Sequence, residues 1–418
     1  MSGTFFTILL AVYAVFGLLL YELRWFVWID EVVAFSIAGY ALIQILFYRN
    51  SQSKPFIIWL LIDIFYLVYS FLIQSNVPSA ILNDFVMQSK PYMLFFGLMY
   101  LKPKLNDIHW QIIHILCIAC TLCILFIYAI TPDRGEICKP GELLSGAAFS
   151  ISALFIGALY YLSSNSNGFK NKAVSLAIMC IGLLAPTAKY IGTLICAFIF
   201  LFFISSPIKI NVKYSLIFSI TIIIVLFTVW SDIDFYFLQN TEDNARAVLY
   251  MCMPDILNDY IPFGSGFATF ANAASATWYS PLYVKYGLDE IWGLMENEAE
   301  FVSDAYYPTL AQFGYVGIAL FIIFIIYIFK KINYSYQITH DLKRYKISFI
   351  ITASILIEMT TGSFSNERCI MQIIILCLCL YKYNPPKQRI SGDMFGLKFI
   401  DVKNILTATD TGNERINN

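Results

Sequence analysis

The sequence has few charged residues, and this scarcity restricts the class of protein. Charged residues make up 13% of the 418 positions, hydrophobic residues make up 59%, and the mean hydropathy is +0.69. Soluble domains carry about 25% charged and about 45–50% apolar residues. One soluble core of this length could not bury so much apolar surface, so the composition predicts a membrane protein.

The sequence also has no excess of basic residues, few histidines and no common enzyme motif. The 27 Lys and Arg residues are balanced by 28 Asp and Glu, which argues against a nucleic-acid-binding surface. The three histidines, His109, His114 and His340, all lie on or near the predicted inner side of the membrane. The sequence contains no P-loop, HExxH, GxSxG or Rossmann fingerprint, so nucleotide-driven chemistry and a Ser-triad hydrolase are both disfavoured.

Most of the ten cysteines lie inside apolar runs, where they are interpreted as small hydrophobic residues. The CxxC pair of Cys117 and Cys120 has no polar neighbours, which favours the same interpretation. Cys138, Cys252 and Cys369 are the ones that would meet an oxidising compartment, and the sequence leaves open whether Cys138 or Cys252 forms a disulfide.

Twelve apolar runs predict membrane-spanning helices. They cover residues 4–22, 32–48, 55–75, 84–101, 108–130, 143–162, 172–187, 189–206, 213–230, 308–330, 346–362 and 367–383. Basic residues concentrate in alternate connections, so the positive-inside rule places both termini in the cytoplasm. The predicted fold is an all-α, polytopic integral membrane protein.

The predicted organisation has one long connection between spans. Nine spans occupy residues 1–230, the long outer connection occupies 231–307, three spans occupy 308–383, and 384–418 form a cytoplasmic tail. A long loop without a task is uncommon. We therefore expect 231–307 to form a folded periplasmic cap, and the alternative is a solvated, partly disordered acidic loop.

Three cations lie at or near the predicted outer ends of spans: Lys90, Lys189 and Arg368. A charge at such a position is expensive unless it is paired or solvated, so each is a candidate for function. The alternative for each is a snorkelling interfacial anchor. Several cations converging on one site would suit the phosphate groups of a lipid headgroup.

Arg246 lies near the start of an amphipathic stretch in the outer connection, and the sequence PFGSGF follows at 262–267. Gly264 and Gly266 permit a tight turn that brings backbone N–H groups close to an anion. Most Gly-Ser-Gly turns only reverse the chain, so the turn is weak evidence by itself. Its combination with Arg246 favours an anion site.

Acidic residues close the outer connection. Glu296, Glu300 and Asp304 recur every four residues, which predicts one face of a helix. A carboxylate near a dry membrane mouth is a candidate general base, and a solvated acidic face is the alternative. Asp63 and Glu358 are the acids well inside predicted spans, and they give only thin support for the proton path of a transporter.

Three segments resemble the O-antigen polymerase and O-antigen ligase superfamily of Wzy-like membrane glycosyltransferases. They are APTAKYIG at 185–192, Arg246 followed by PFGSGF at 262–267, and SDAYYPTLAQFGYVG at 303–317. The ligase branch usually has a His near the position of Asp304, so the polymerase branch is favoured. Lys189 stands where many relatives have Arg, which weakens the case for bidentate phosphate recognition there.

The resemblance implies a polymerase of lipid-linked oligosaccharide repeat units at the periplasmic face of the bacterial inner membrane. The growing glycan would pass from undecaprenyl pyrophosphate to a new repeat unit on the same carrier, without a metal or other cofactor. The base would be Asp304, with Glu300 behind it. The pyrophosphate would be bound, in order of preference, by Arg246, Lys189, Lys90 and Arg368, with the turn at Gly264 and Gly266.

The family also suggests a separate protein that regulates chain length, and the product would be O-antigen, capsule or exopolysaccharide. Three rival functions remain. The first is an O-antigen ligase that attaches the glycan to lipid A core. The second is a flippase or other transporter, for which the sequence shows neither a clear internal repeat nor many intramembrane polar residues. The third is a membrane scaffold without catalysis.

Overall fold

A computed structural model gives the structure of the chain. It describes residues 1–15, 28–47, 53–130, 146–164, 166–185, 187–207, 244–303 and 305–381. These residues form helices, turns and two isolated backbone bridges, and no β-strand occurs among them. The described part of the chain is therefore all-α, as the sequence predicts.

Eight α-helices lie in the described residues up to 207. They are α1 Gly3–Ala14, α2 Ile29–Phe47, α3 Lys54–Leu72, α4 Pro78–Leu101, α5 Asp107–Ile130, α6 Gly146–Ser163, α7 Phe169–Ile181 and α8 Ala188–Phe202. Each corresponds to one of the first eight predicted spans, although the first span is described only as far as residue 15. The ninth predicted span, 213–230, lies outside the described residues.

Seven further helices follow residue 243. They are α9 Ala245–Asp259, α10 Ala273–Thr277, α11 Pro281–Lys285, α12 Tyr306–Thr309, α13 Gly314–Thr339, α14 Leu342–Glu358 and α15 Glu367–Leu380. The short 3-10 helix Leu310–Phe313 joins α12 to α13. The predicted tail, 384–418, lies outside the described residues.

Four helical stretches are long and apolar enough to cross a membrane. They are Ile29–Phe47, Lys54–Leu72, Asp107–Phe126 and Tyr306–Thr339. Gly3–Ala14, Ala148–Ser163 and Ala188–Phe202 are apolar but shorter. The chain therefore has the character of a membrane protein, while the number of twelve spans stays a prediction.

The helices divide into a buried centre and an apolar periphery. Every residue of α15 except Arg368 is buried, and this helix packs against α4, α6, α13 and α14. At the periphery, α2, α3 and α5 present large side chains to the outside, including Phe47, Leu61 and Phe126, which are 78%, 62% and 65% exposed. A surface this apolar suits lipid better than water.

The described part of the long connection is folded. Helices α9, α10 and α11 surround a hydrophobic cluster that includes Leu249, Phe270 and Tyr283. Residues 244–303 are the part of the predicted 231–307 segment that the structure describes, while the bounds of that segment and its position at the periplasmic face stay predictions. We call residues 244–303 the insert.

Polar side chains at the α3–α4 junction hold the insert in place. Ser70 Oγ accepts a hydrogen bond from the Phe267 N–H at 2.8 Å, and Asp84 Oδ2 accepts one from the Ala268 N–H at 2.7 Å. Asn76 Nδ2 donates to the Ala268 carbonyl at 2.7 Å. These bonds satisfy backbone groups that would otherwise be buried without partners.

The structure corrects one prediction in the long connection and describes one of its two cysteines. Residues 291–303 form turns with an isolated bridge between Met295 and Glu298, so Glu296 and Glu300 do not share a helix face. Local spacing alone suggested the helix, but tertiary packing overrides so weak a signal. Cys252 is a buried free cysteine, whereas Cys138 lies outside the described residues.

Candidate functional site

Two of the predicted cations converge on one carboxylate. Lys189 Nζ lies 2.8 Å from Glu358 Oε1, and Arg368 Nη1 lies 3.2 Å from the same oxygen. Arg368 Nε also contacts Glu367 Oε1 at 3.1 Å. We call these four residues the Lys189 cluster. The side chains of Lys189 and Arg368 are each 21% exposed, so the cluster is largely but not completely enclosed.

Three helix ends bring the cluster together. Lys189 and Arg368 lie in the first turns of α8 and α15, and Glu358 is the last residue of α14. The side chains of Thr187 and Asn366 accept hydrogen bonds from backbone N–H groups, which begins α8 and α15 at these positions. The N-termini of helices α8 and α15 therefore lie beside the cluster.

The charges of the Lys189 cluster balance, because two cations face two carboxylates. A helix N-terminus carries a partial positive charge of about half a unit, so a cation in its first turn is placed against the helix dipole. Lys189 and Arg368 both occupy that unfavourable position. Glu358 lies at the opposite, partially negative end of its own helix. An anionic ligand could bind both cations only by replacing a carboxylate, and Glu358 is the one that lies between them.

A small cavity opens beside the cluster. Its polar lining comes from Lys189, Glu358, Thr187, Thr193 and Ser150. A glycine nearby leaves room for the ion pair, because a Cβ at Gly362 would lie 3.2 Å from Glu358 Oε1 and 3.7 Å from Lys189 Nζ. The cavity is too small to hold a lipid-linked sugar in this conformation, so a ligand of that size would need the lining to move.

Lys90 belongs to a different group of charges. Its ammonium lies 2.6 Å from Asp30 Oδ2 and 2.7 Å from Glu31 Oε1, and its side chain is 2% exposed. Nearby, Ser89 Oγ donates to Asp63 Oδ2 at 2.7 Å. The prediction that Lys90 binds pyrophosphate together with Lys189 is not supported, since two carboxylates already enclose its ammonium.

Arg246 lies on the insert. Its guanidinium lies 5.6 Å from the centre of the Phe301 ring. One turn later on α9, the Tyr250 hydroxyl donates to the Thr360 carbonyl at 2.8 Å, two residues after Glu358. Helix α9 therefore reaches the turn that follows Glu358. Arg246 itself does not line the cavity beside Lys189, as far as the described residues show.

The predicted glycine turn forms, but its N–H groups are occupied. Gly264 N donates to the Tyr260 carbonyl at 2.8 Å, and Gly266 N donates to the Gln312 carbonyl at 2.9 Å. Gly264 has φ +82°, and a Cβ there would lie 2.3 Å from the Gly314 nitrogen. The prediction of an anion site at Gly264 and Gly266 is therefore wrong in this conformation, because the glycines serve close backbone packing.

The structure describes only one of the two predicted bases. This residue, Glu300, is exposed in a turn of the insert. Asp304 lies outside the described residues, and its role stays a prediction. Glu358 is the acid that the structure places between two cations, and sequence reasoning assigned it no role in transfer. Its position inside a predicted span was the signal that could have identified it, since intramembrane acids are functional candidates by default.

Buried polar residues are more numerous than the sequence suggested. Asp84, Gln88, Ser89 and Lys90 follow one another along α4 and are all buried. The mean hydropathy of an apolar span does not reveal the single polar residues within it. Within the described ranges, no group of three or more His, Cys, Asp or Glu side chains could hold a metal ion.

Comparisons with known proteins give no relative. The chain matched no family model, no curated protein and no solved structure.

Proposed function

We propose that this chain is a membrane glycosyltransferase that polymerises lipid-linked oligosaccharide repeat units. The growing glycan passes from undecaprenyl pyrophosphate to a repeat unit on the same carrier. The observation that supports this proposal is the convergence of Lys189 and Arg368 on one carboxylate oxygen. Two cations held together beside two helix N-termini suit a leaving group that carries two phosphoryl groups.

The transfer needs stabilisation of the departing diphosphate. An oxygen of the acceptor sugar forms a bond to C1 of the donor sugar, and the bond from C1 to the diphosphate oxygen breaks. The electron pair of that bond remains on the diphosphate, where Lys189 and Arg368 offset the developing charge. The acceptor hydroxyl proton goes to a carboxylate, for which the sequence proposes Asp304 and then Glu300.

Arg246 enters this proposal as a residue of the insert. Helix α9 contacts the turn after Glu358 through the bond from Tyr250 to Thr360. We propose that Arg246 joins Lys189 and Arg368 in binding the pyrophosphate, as the resemblance implies. In the proposed topology the insert lies in the periplasm, both chain termini lie in the cytoplasm, and a chain-length regulator is a candidate partner.

A complementation experiment in the native host tests the proposal. A strain that lacks this protein should display surface glycan of a single repeat unit. Wild type should restore long chains, whereas Lys189→Ala and Arg368→Ala should not, although both variants reach the membrane. Lys285→Ala is the control, because Lys285 pairs with Asp259 on the exposed side of the insert. Normal chain lengths with both cluster variants would reject the proposal.

The same strain separates the rival functions. A ligase would leave surface glycan absent and carrier-linked polymer retained. A flippase would leave repeat units trapped inside the cell. The buried group of Lys90, Asp30 and Glu31 is the observation that favours a transporter, because intramembrane charges mark ion or substrate paths. Loss of repeat-unit export in the neutral triple variant Lys90→Met, Asp30→Asn, Glu31→Gln, at wild-type protein level, would support that candidate.

A further inference from the structure

Glu358 occupies the place that an anionic ligand would take. Its Oε1 atom accepts hydrogen bonds from both Lys189 Nζ and Arg368 Nη1, and Glu358 is 4% exposed. A diphosphate cannot contact both cations in the same way while this carboxylate lies between them. Binding of the donor therefore requires Glu358 to move away or to give up its two partners.

The two cations keep donors for such a ligand. A lysine ammonium has three N–H donors and a guanidinium has five. Among the residues that the structure describes, Lys189 donates only to Glu358, and Arg368 uses Nη1 and Nε. Unused N–H groups on both side chains can therefore make the first contacts with phosphoryl oxygens before the carboxylate leaves.

We propose that Glu358 is a resident counter-ion, which the donor diphosphate displaces from Lys189 and Arg368. This inference rests on the proposed function. The exchange replaces one anion by another at the two cations, and it forms and breaks no covalent bond. Without the donor the two cations stay paired with Glu358, so no uncompensated charge is left in the enclosed site.

Glu358→Gln should separate competition from a structural role. The amide keeps the shape of the side chain but does not compete with the diphosphate as an anion. We expect polyprenyl diphosphate to bind the full chain in lipid nanodiscs at least about tenfold more tightly than it binds wild type. A merely structural role for Glu358 would weaken diphosphate binding.

Gly362→Ala provides a second variant with an intact carboxylate. The added methyl group would lie 3.1 Å from the Glu358 carbonyl oxygen and 3.2 Å from Oε1, so these atoms must shift by a few tenths of an ångström. We expect this crowding to weaken the ion pair with Lys189 and so to tighten diphosphate binding. Asp259→Asn is the matched control, because it removes a carboxylate from the exposed pair with Lys285 and should not change diphosphate binding.

The possible results separate a failure of this inference from a failure of the proposed function. If wild type binds no polyprenyl diphosphate and forms no polymer, the proposed function is rejected. If wild type does both and Glu358→Gln binds no more tightly, only the counter-ion exchange is rejected. Tighter diphosphate binding in both Glu358→Gln and Gly362→Ala, with binding by Asp259→Asn unchanged, would support the proposal.

Discussion

Replacing Lys90 by methionine tests how the interior of the protein balances charge. The ammonium of Lys90 contacts Asp30 and Glu31 at 2.6 and 2.7 Å, and the side chains of Lys90 and Asp30 are 2% and 3% exposed. Asp30 Oδ1 and Glu31 Oε2 are buried without a hydrogen-bond partner among the described residues. Methionine fills a similar volume but leaves both carboxylates without a counter-ion.

The magnitude follows from the burial of the group. Removing one partner of a buried ion pair lowers the free energy of unfolding by about 3–5 kcal/mol, because an uncompensated charge is left behind. Total stability of a folded domain is about 5–15 kcal/mol, so the loss would be a large share of it. The triple variant Lys90→Met, Asp30→Asn, Glu31→Gln removes all three charges together. It should recover much of the lost stability, since well-packed neutral groups often substitute for a buried ion pair without penalty.

Unfolding of the purified protein by SDS in mixed micelles, followed by tryptophan fluorescence, measures this difference. Lys285→Met is the control, because its partner Asp259 is exposed and the loss of that pair should be small. If Lys90→Met unfolded at the same SDS fraction as wild type, the reasoning about paired charges would be refuted. If the triple variant were no more stable than Lys90→Met, packing rather than charge would explain the loss.

Three further predictions concern the insert. Asp84→Ala removes the acceptor of the Ala268 N–H, so it should destabilise the insert by about 1.5–3 kcal/mol and speed limited proteolysis of residues 262–272; unchanged cleavage would contradict this. Gly264→Ala should reduce folded yield far more than Gly287→Ala. Both glycines have positive φ, which costs roughly 1 kcal/mol for alanine, but a Cβ at Gly264 would meet the Gly314 backbone whereas one at Gly287 meets nothing within 4 Å. Finally, hydrogen bonds from Lys285 and Tyr286 hold the pKa of Asp259 below its ordinary 3.8. Stability from this group should therefore be complete above that pH and fall as the pH drops below it, and Asp259→Asn should remove this part of the pH dependence of Tm.

Local patterns in the sequence predicted the helices well. Runs of apolar residues identified α2, α3 and α5, because a membrane-spanning helix must be apolar along its own length. Lys90 and Pro91 interrupt the apolar run of the fourth span, yet they do not end a helix, since α4 continues through both residues from Pro78 to Leu101. The predicted helix through Glu296 and Glu300 was wrong, because a spacing of four carries little weight without an apolar face.

The candidate site could be predicted only in part. Their positions at the outer ends of predicted spans singled out Lys189 and Arg368. Nothing local shows that they meet, because they lie on different helices far apart in the chain. The Gly264 turn was identified correctly as a turn, yet only the packed structure shows that Gln312 and Tyr260 occupy its N–H groups.

The sequence by itself determined that this chain is apolar and helical with the character of a membrane protein, since composition and periodicity act within one segment at a time. Tertiary structure alone decided which charges share a site. Glu358 lies 169 residues from Lys189 along the chain, and the contact between them exists only because α8, α14 and α15 bring three helix ends to one place. Electrostatic pairing depends on distances of a few ångströms, which no local pattern specifies.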